Sequence, residues 1–207
     1  MGAQGETRRR MLLDAALERF AREGYDRTTT REIAEATGVT EAVLFKHFAT
    51  KRDLFLAVLE EYAPPDGLPS ATECFGELPA DAALAAALRT YLNLWWQHRH
   101  YARLLRQELE RDHEARERMR QMFLTMRTDL RALLDRLAAR GEIRANAAAL
   151  TTALLGIALR GFIATAMHRA NDGEERPRWN QVREWFVRGI VDTTLHGIAS
   201  REDRADE

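Results

Sequence analysis

Apolar residues recur three or four positions apart through most of this chain, the spacing that places them on one face of an α-helix. The longest such stretch runs from about residue 114 to residue 140 and ends at Gly141, the residue type that most often follows a helix. An earlier stretch places Leu84, Leu88, Tyr91 and Trp95 on one face. No segment alternates apolar and polar residues over any length, as a half-buried strand would. The pattern predicts an all-α protein.

The five prolines divide this helical pattern into parts. They stand at positions 64, 65, 69, 79 and 177, so residues 1–63 and 80–176 contain none, as long helices require. We predict a linker over residues 64–80, with a loose turn around Cys74 and Phe75. The predicted domains are a head at residues 1–52 and a helical body at residues 53–207, in which residues 53–63 form a connecting helix.

Residues 28–51 carry the start and stop signals of short helices. Thr29 with Glu32 three positions later forms a capping box, so a helix is expected to begin at about Thr30. Gly38 then ends it, because a tight turn between two crossed helices needs a left-handed residue. These signals predict the first helix and the turn of a helix-turn-helix.

A second helix and the start of a third follow at once. Thr40 is the expected N-cap of the second helix, and Thr50 with Asp53 caps the third. The chain has only two lysines, Lys46 and Lys51, and both fall here. The inward face of the second helix consists of Val43, Leu44 and Phe48. Such a helix, with a basic outward face, is suited to a DNA major groove.

Charge supports this interpretation only locally. The formal net charge of the 207-residue chain is −1, so bulk charge does not draw the whole molecule to a polyanion. The first 52 residues hold ten Arg or Lys against eight Asp or Glu, an excess of two positive charges. The placement of these charges beside the second helix therefore matters more than their number.

The segment from Thr7 to Glu60 closely resembles the DNA-binding domain of TetR-type transcriptional regulators. The resemblance implies a three-helix helix-turn-helix head on a larger helical body that binds a ligand and dimerises. Beyond the segment, the chain matches that family only in architecture. The matching positions are Ala15, Ala16, Phe20, Gly24, Tyr25, Thr29, Ile33, Ala34, Gly38, Val39, Leu44, His47, Phe48 and Lys51.

The expected partner of the head is double-stranded DNA. Arg31 can pair with guanine O6 and N7, Lys46 can reach a base or a phosphate, and Glu41 can accept from a cytosine amino group or repel wrong registers. Ala42 lies in the turn that such motifs insert deepest. The expected phosphate contacts are Thr29, Thr40, His47 and Lys51.

Phe45 departs from the family pattern, which usually has tyrosine at this position. Its ring can pack or touch a thymine methyl group, but it lacks the hydroxyl that would bond a phosphate. Losing one neutral hydrogen bond should cost about 1 kcal/mol.

The resemblance also implies a ligand pocket in the body. Methionine is flexible enough to line sites that accept varied ligands. For each candidate residue, ordinary core packing is the alternative. The candidates are Tyr91, Trp95, Leu105, Met119, Met122, Phe123, Met126 and Phe162, and the expected effector is a small apolar or aromatic molecule.

The last two predicted helices, at residues 147–169 and 179–199, are rich in small and apolar residues. A helix that is apolar most of the way round must be buried on several sides. They resemble the paired helices that form a four-helix bundle between two TetR-type subunits, although an internal core is the alternative. The candidate dimer contacts are Gly156, Gly161, Val182, Phe186, Gly189, Ile190 and Thr193.

Other chemistry finds little support in the sequence. His98 and His100 stand two apart, which on a helix prevents them from sharing a metal ion, so no metal and no cofactor is expected. The single cysteine, Cys74, excludes an internal disulfide and is expected to be a neutral, partly buried thiol. No apolar run approaches the roughly 18 residues of a membrane span, so we expect a cytoplasmic protein without a membrane partner.

The sequence bears on three classes of function. No glycine-rich phosphate loop, nucleophile elbow or pair of carboxylates in an apolar setting supports an enzyme. The favoured function is a homodimeric repressor that a small effector releases from a near-palindromic operator. The alternative is a helical protein that binds DNA or a partner without a small-molecule effector.

Overall fold

Helices make up the regular structure of the described residues, as the sequence predicts. The structure is a computed structural model that describes residues 3–64, 70–143, 152, 156–158, 161 and 176–196. Residues 152, 156–158 and 161 are also helical. We number the other helices α1 (Ala3–Glu23), α2 (Thr30–Ala36), α3 (Glu41–His47), α4 (Lys51–Glu61), α5 (Ala71–Phe75), α6 (Ala80–Gln97), α7 (Arg99–Glu108), α8 (His113–Ala139) and α9 (Arg176–His196).

The chain divides into two compact units. The first contains residues Met1–Pro65 and His98–Gln121, and the second contains Asp66–Gln97 and Met122–Glu207. The first unit thus groups α4 and α7 with α1, α2 and α3. The predicted division into a head at residues 1–52 and a body at residues 53–207 is a functional one and stays a prediction.

The core of the first unit is built on α1. Leu12, Leu13, Ala16 and Phe20 of this helix are buried. The Phe20 ring lies 5.9 Å from that of Phe55 on α4, and the Tyr25 ring lies 4.9 Å from Phe55. These apolar contacts hold α4 on α1 and fix the platform that carries α2 and α3.

Helix α7 packs against α1 within the same unit through a buried polar contact. The carboxylate of Glu108, only 5% exposed, accepts a hydrogen bond from the backbone N–H of Tyr25 at 3.1 Å. The Gln107 side chain donates to the carbonyl of Ala21 at 3.0 Å. Sequence analysis did not anticipate this contact, because its partners lie more than 80 residues apart.

The second unit corrects two predictions about the linker. Cys74 and Phe75 lie in the short helix α5 rather than in a loose turn, and the Cys74 thiol is exposed rather than partly buried. Asp129 of α8 accounts for the helix, since it accepts hydrogen bonds from the Ser70 hydroxyl at 2.7 Å and the Ala71 N–H at 2.8 Å. A distant carboxylate thus supports a helix too short to be stable alone.

Helix α8 confirms the longest predicted helix. It ends at Ala139, and Gly141 follows with a φ of 76°, the left-handed conformation expected of a glycine after a helix. In the second unit, α9 packs on α6. The Trp96 and Trp179 rings stack 4.8 Å apart, and Arg89 pairs with Glu184 at 2.8 Å. Within the described residues, no helix is both long and apolar enough to span a membrane.

Candidate nucleic-acid interface

Helix α2 begins at the predicted capping box. The Glu32 N–H donates to the Thr29 hydroxyl oxygen at 3.2 Å, and the Thr29 N–H donates to the Glu32 carboxylate at 2.8 Å. These backbone and hydroxyl donors at Thr29 lower the pKa of the Glu32 side chain. The capping box and the start of α2 at Thr30 are therefore confirmed.

The turn between α2 and α3 is also as predicted. Gly38 adopts a φ of 70°, which only glycine takes without steric cost, and the Val39 N–H donates to the Ala34 carbonyl at 3.1 Å. Thr40 occupies the predicted N-cap position of α3, which is confirmed. Its hydroxyl makes no capping bond, and its side chain is exposed.

Helix α3 has a buried and an exposed face. Leu44 and Phe48 are buried, although Phe48 lies one residue beyond the helix, and Val43 is half-buried. The exposed face carries Ala42, Phe45 and Lys46. The buried face holds α3 on the first unit, and the exposed face is free of the core.

Two predicted base contacts are already engaged within the protein. The Arg31 Nε donates to the Glu35 carboxylate at 2.8 Å, although the Arg31 side chain remains 78% exposed. The Glu41 carboxylate accepts a hydrogen bond from the Thr30 hydroxyl, which ties the start of α3 to α2. A base that used either side chain would have to compete with these contacts.

Lys51 has a fixed position at the start of α4. Its ammonium lies 4.3 Å from the centre of the Tyr25 ring and donates to the Asp26 carbonyl at 3.4 Å. Partial burial lowers the pKa of this lysine. The predicted N-cap Thr50 is confirmed, because its hydroxyl oxygen accepts from the Asp53 N–H at 3.0 Å. Sequence analysis missed Tyr25 as the ring that orients Lys51.

An N-terminal arginine contacts the end of α3. The Arg9 guanidinium lies 5.6 Å from the Phe48 ring centre and 3.7 Å from Glu61. It therefore stands beside the candidate interface, and its only signal in the sequence was the basic run from Arg8 to Arg10. His47, the last residue of α3, is half-buried.

The predicted ligand residues do not form one set. Tyr91, Trp95, Met122, Phe123 and Met126 lie in the second unit, where the Trp95 and Phe123 rings stack 5.1 Å apart. The Tyr91 hydroxyl donates to Asp129, and burial raises the pKa of this tyrosine. The remaining candidates are placed differently, since Leu105 and Met119 are buried in the first unit and Phe162 lies outside the described residues.

The predicted dimer contacts include exposed apolar groups. Val182 of α9 is 45% exposed, and Trp185, which was not among the predicted contacts, is 74% exposed. Gly161 and Gly189 are exposed, and a Cβ added at Gly189 would meet no atom of the described residues within 4 Å outside the neighbouring backbone. Thr193 is exposed, whereas Gly156, Phe186 and Ile190 are half-buried.

Two short helices joined by a left-handed glycine, with a capping box on the first and one exposed face on the second, define a helix-turn-helix. Residues 12–58 match the family model described as bacterial regulatory proteins, tetR family. The match places a TetR-type helix-turn-helix segment in the first unit.

Curated relatives match the same region. The chain is 41% identical over 56 residues to the uncharacterized regulator YvkB of Bacillus subtilis, 43% over 54 residues to the repressor Rv1474c of Mycobacterium tuberculosis and 44% over 57 residues to the activator FasR of Mycolicibacterium smegmatis. These segments cover 26–28% of this chain and 30%, 29% and 26% of the respective relatives. All three relatives are named as regulators rather than enzymes, as the sequence predicts.

Solved structures extend the likeness to the whole fold. The TetR family regulator PfmR from Thermus thermophilus has a TM-score of 0.65 at 22% identity, over 91% of this chain and 99% of that one. The hemolysin II regulator HlyIIR has a TM-score of 0.63 at 18% identity, over 92% and 98%. At this identity the likeness concerns the fold, which is the predicted helix-turn-helix head on a helical body.

Proposed function

We propose that the chain is a transcriptional regulator that binds a near-palindromic operator in double-stranded DNA as a homodimer. The exposed face of α3 carries this proposal. Ala42, Phe45 and Lys46 project from a helix whose opposite side is buried, and capped α2 and the Gly38 turn hold that helix in place. In helix-turn-helix readers this second helix enters the major groove.

The polar residues around α3 are suited to phosphate and base contacts. Lys46 and the Thr40 hydroxyl are exposed, and Lys51 is oriented by Tyr25. Arg31 reaches a base by exchanging its bond to Glu35 for one to guanine. We assign phosphate contacts to Thr29, Thr40, His47 and Lys51, and base contacts to Arg31, Glu41, Ala42, Phe45 and Lys46.

The second copy is proposed to pack against α9 and the helical residues before it. Exposed Val182 and exposed Gly189, whose added Cβ would meet no atom of the described residues within 4 Å outside the neighbouring backbone, are features of a face that another helix can approach closely. Two heads related by a twofold axis would then address two half-sites about 34 Å apart. The dimer contacts remain the predicted set, from Gly156 to Thr193.

The effector is proposed to be a small apolar or aromatic molecule. Within the second unit, the Trp95–Phe123 stack with nearby positions Met122 and Met126 on α8 gives aromatic and flexible apolar surface. Such a ligand releases DNA only to the extent that it binds the two conformations of the protein differently. The alternative is a DNA-binding protein without an effector.

We propose repression rather than activation. A dimer on an operator blocks a promoter by occupancy alone, whereas activation also requires a productive contact with the transcription machinery. A repressor and an activator match the first unit at similar identity. The matched segment therefore does not determine whether the protein represses or activates transcription. The protein would act on chromosomal DNA in the cytoplasm.

A selection from random double-stranded DNA tests the DNA-binding function. The full chain should enrich one near-palindromic sequence, because two identical α3 helices bind it. Lys46→Glu, which reverses one exposed charge, should enrich it far less while its circular dichroism and melting temperature stay unchanged. If the wild-type chain enriches nothing over the input library, the proposed function is wrong.

A thermal-shift screen tests the effector. A small aromatic compound that binds only the folded chain should raise its melting temperature by mass action. Linkage then requires that the compound and the operator weaken each other's binding by the same factor. If stabilising compounds leave operator affinity unchanged, the alternative without an effector is favoured.

A further inference from the structure

The centre of the exposed face of α3 is apolar. Phe45 is 44% exposed, and Ala42, three positions earlier on the same side of the helix, is also exposed. The core of the first unit does not need the Phe45 ring, since Leu44 and Phe48 supply the buried side. The Phe45 ring is therefore available for contact with a bound duplex.

The neighbouring polar groups do not compete with apolar contacts to this patch. Glu41, one turn before Phe45, accepts a hydrogen bond from the Thr30 hydroxyl and so faces α2. Phe45 has no hydroxyl with which to donate to a phosphate. The ring and the Ala42 methyl can therefore gain from a base only by apolar contact.

Only one base offers an apolar group in the major groove. The C5-methyl group of thymine is recognised by alanine and phenylalanine side chains, whereas cytosine has only a hydrogen atom at C5 and the purines present hydrogen-bonding groups in the groove. Lys46, the exposed residue after Phe45 on α3, supplies attraction to phosphate that brings the duplex to the patch. This charge favours DNA over an apolar protein surface as the occupant.

Resting on the proposed function, we propose that Phe45 and Ala42 read thymine methyl groups, so that each operator half-site contains one or two thymines fixed by this contact. The methyl group packs on the exposed face of the Phe45 ring, and Ala42 leaves room for it. Specificity at these positions is therefore apolar, and the Thr30–Glu41 hydrogen bond holds the start of α3 on α2.

Replacing single thymines by deoxyuridine in the selected operator tests the proposal, because this change removes only the methyl group. With the wild-type chain, one or two positions per half-site should lose about three- to fivefold in affinity, the effect of one methyl group returned to water. Phe45→Tyr keeps the ring and should show the same loss. Phe45→Ala, a change at an exposed position, should bind thymine and uridine operators equally at the thymine that packs on the Phe45 ring.

The outcomes distinguish the proposed thymine-methyl contact from the proposed DNA-binding function. If operator is bound but no position responds to uridine, or if Phe45→Ala responds as the wild type does, the methyl contact is overturned and DNA binding stands. If no operator is selected at all, the proposed function fails and this inference fails with it. Equal melting temperatures of the three proteins would show that Phe45 acts at the interface rather than in the fold.

Discussion

Arg31 shows how a residue that is suited to DNA is held in the free protein. Its chemistry, a charged fork at the start of α2, could be predicted from the sequence. Its hydrogen bond to Glu35, four positions later, depends on the rotamers of both side chains, and many rotamers would not form this bond. In the structure, Glu35 therefore competes with the guanine that was predicted as the partner of Arg31.

Arg31→Ala and Lys51→Ala should weaken operator binding in different ways. Loss of Arg31 should cost about 1–3 kcal/mol at one base position and relax specificity there. Loss of Lys51 should weaken all sequences alike and lower the salt slope by about one unit. Fluorescence anisotropy with an operator series at several salt concentrations measures both effects. Equal losses by Arg31→Ala at every operator variant would contradict a base contact.

Glu32 makes the start of α2 sensitive to pH. Hydrogen bonds from Thr29 lower its folded pKa below the unfolded value, so its contribution to stability is present above the unfolded pKa. That contribution is lost as pH falls through the folded pKa. Glu32→Gln keeps a neutral acceptor and should lack this loss. Urea unfolding of both proteins from neutral pH downward measures the difference, and parallel pH profiles would contradict it.

The starts of individual helices could be predicted from the sequence, whereas contacts between distant helices could not. Helices α2 and α4 begin where Thr29 and Thr50 predict, because each start depends on bonds within four residues. The contact of α7 with α1 could not be predicted, since Glu108 and Tyr25 lie 83 positions apart. Helix α5 was missed for the same reason, because Asp129 supports it from another part of the chain.

Glu108→Ala should destabilise the first unit. The change leaves the Tyr25 N–H without its buried acceptor, which should cost about 1–3 kcal/mol in the free energy of unfolding. Glu110→Ala, at an exposed position two residues later, is the matched control and should change little. Equilibrium denaturation gives both values. Equal effects of the two changes would show that the Glu108 contact contributes nothing.

For the whole molecule, the order of the helices could be predicted from the sequence more fully than the surfaces against which they pack. The small residues of the last two predicted helices suggested burial, yet Gly189 is exposed within the part of the chain that the structure describes. We propose that a second copy covers this surface. Sequence periodicity alone could not distinguish this face from an internal core.

Gly189→Glu tests the dimer at an exposed position of α9. An added Cβ would meet no atom of the described residues within 4 Å outside the neighbouring backbone, so we expect the fold to survive, and circular dichroism checks this. At a close interface the change would bury an unpaired carboxylate, and sedimentation should show monomers. Asn180→Glu, at another exposed position of α9, is the control and should stay dimeric. A dimeric Gly189→Glu variant with normal operator affinity would place the interface elsewhere.

The most direct test of the account is the affinity of the chain for its selected operator when base pairs are inserted between the half-sites. Two α3 helices on one face of the duplex require half-sites one helical turn of about 10–10.5 base pairs apart. Inserting half a turn should therefore reduce the affinity to that of a single half-site. An operator with this insertion that binds as tightly as the original would contradict recognition by a twofold pair of α3 helices.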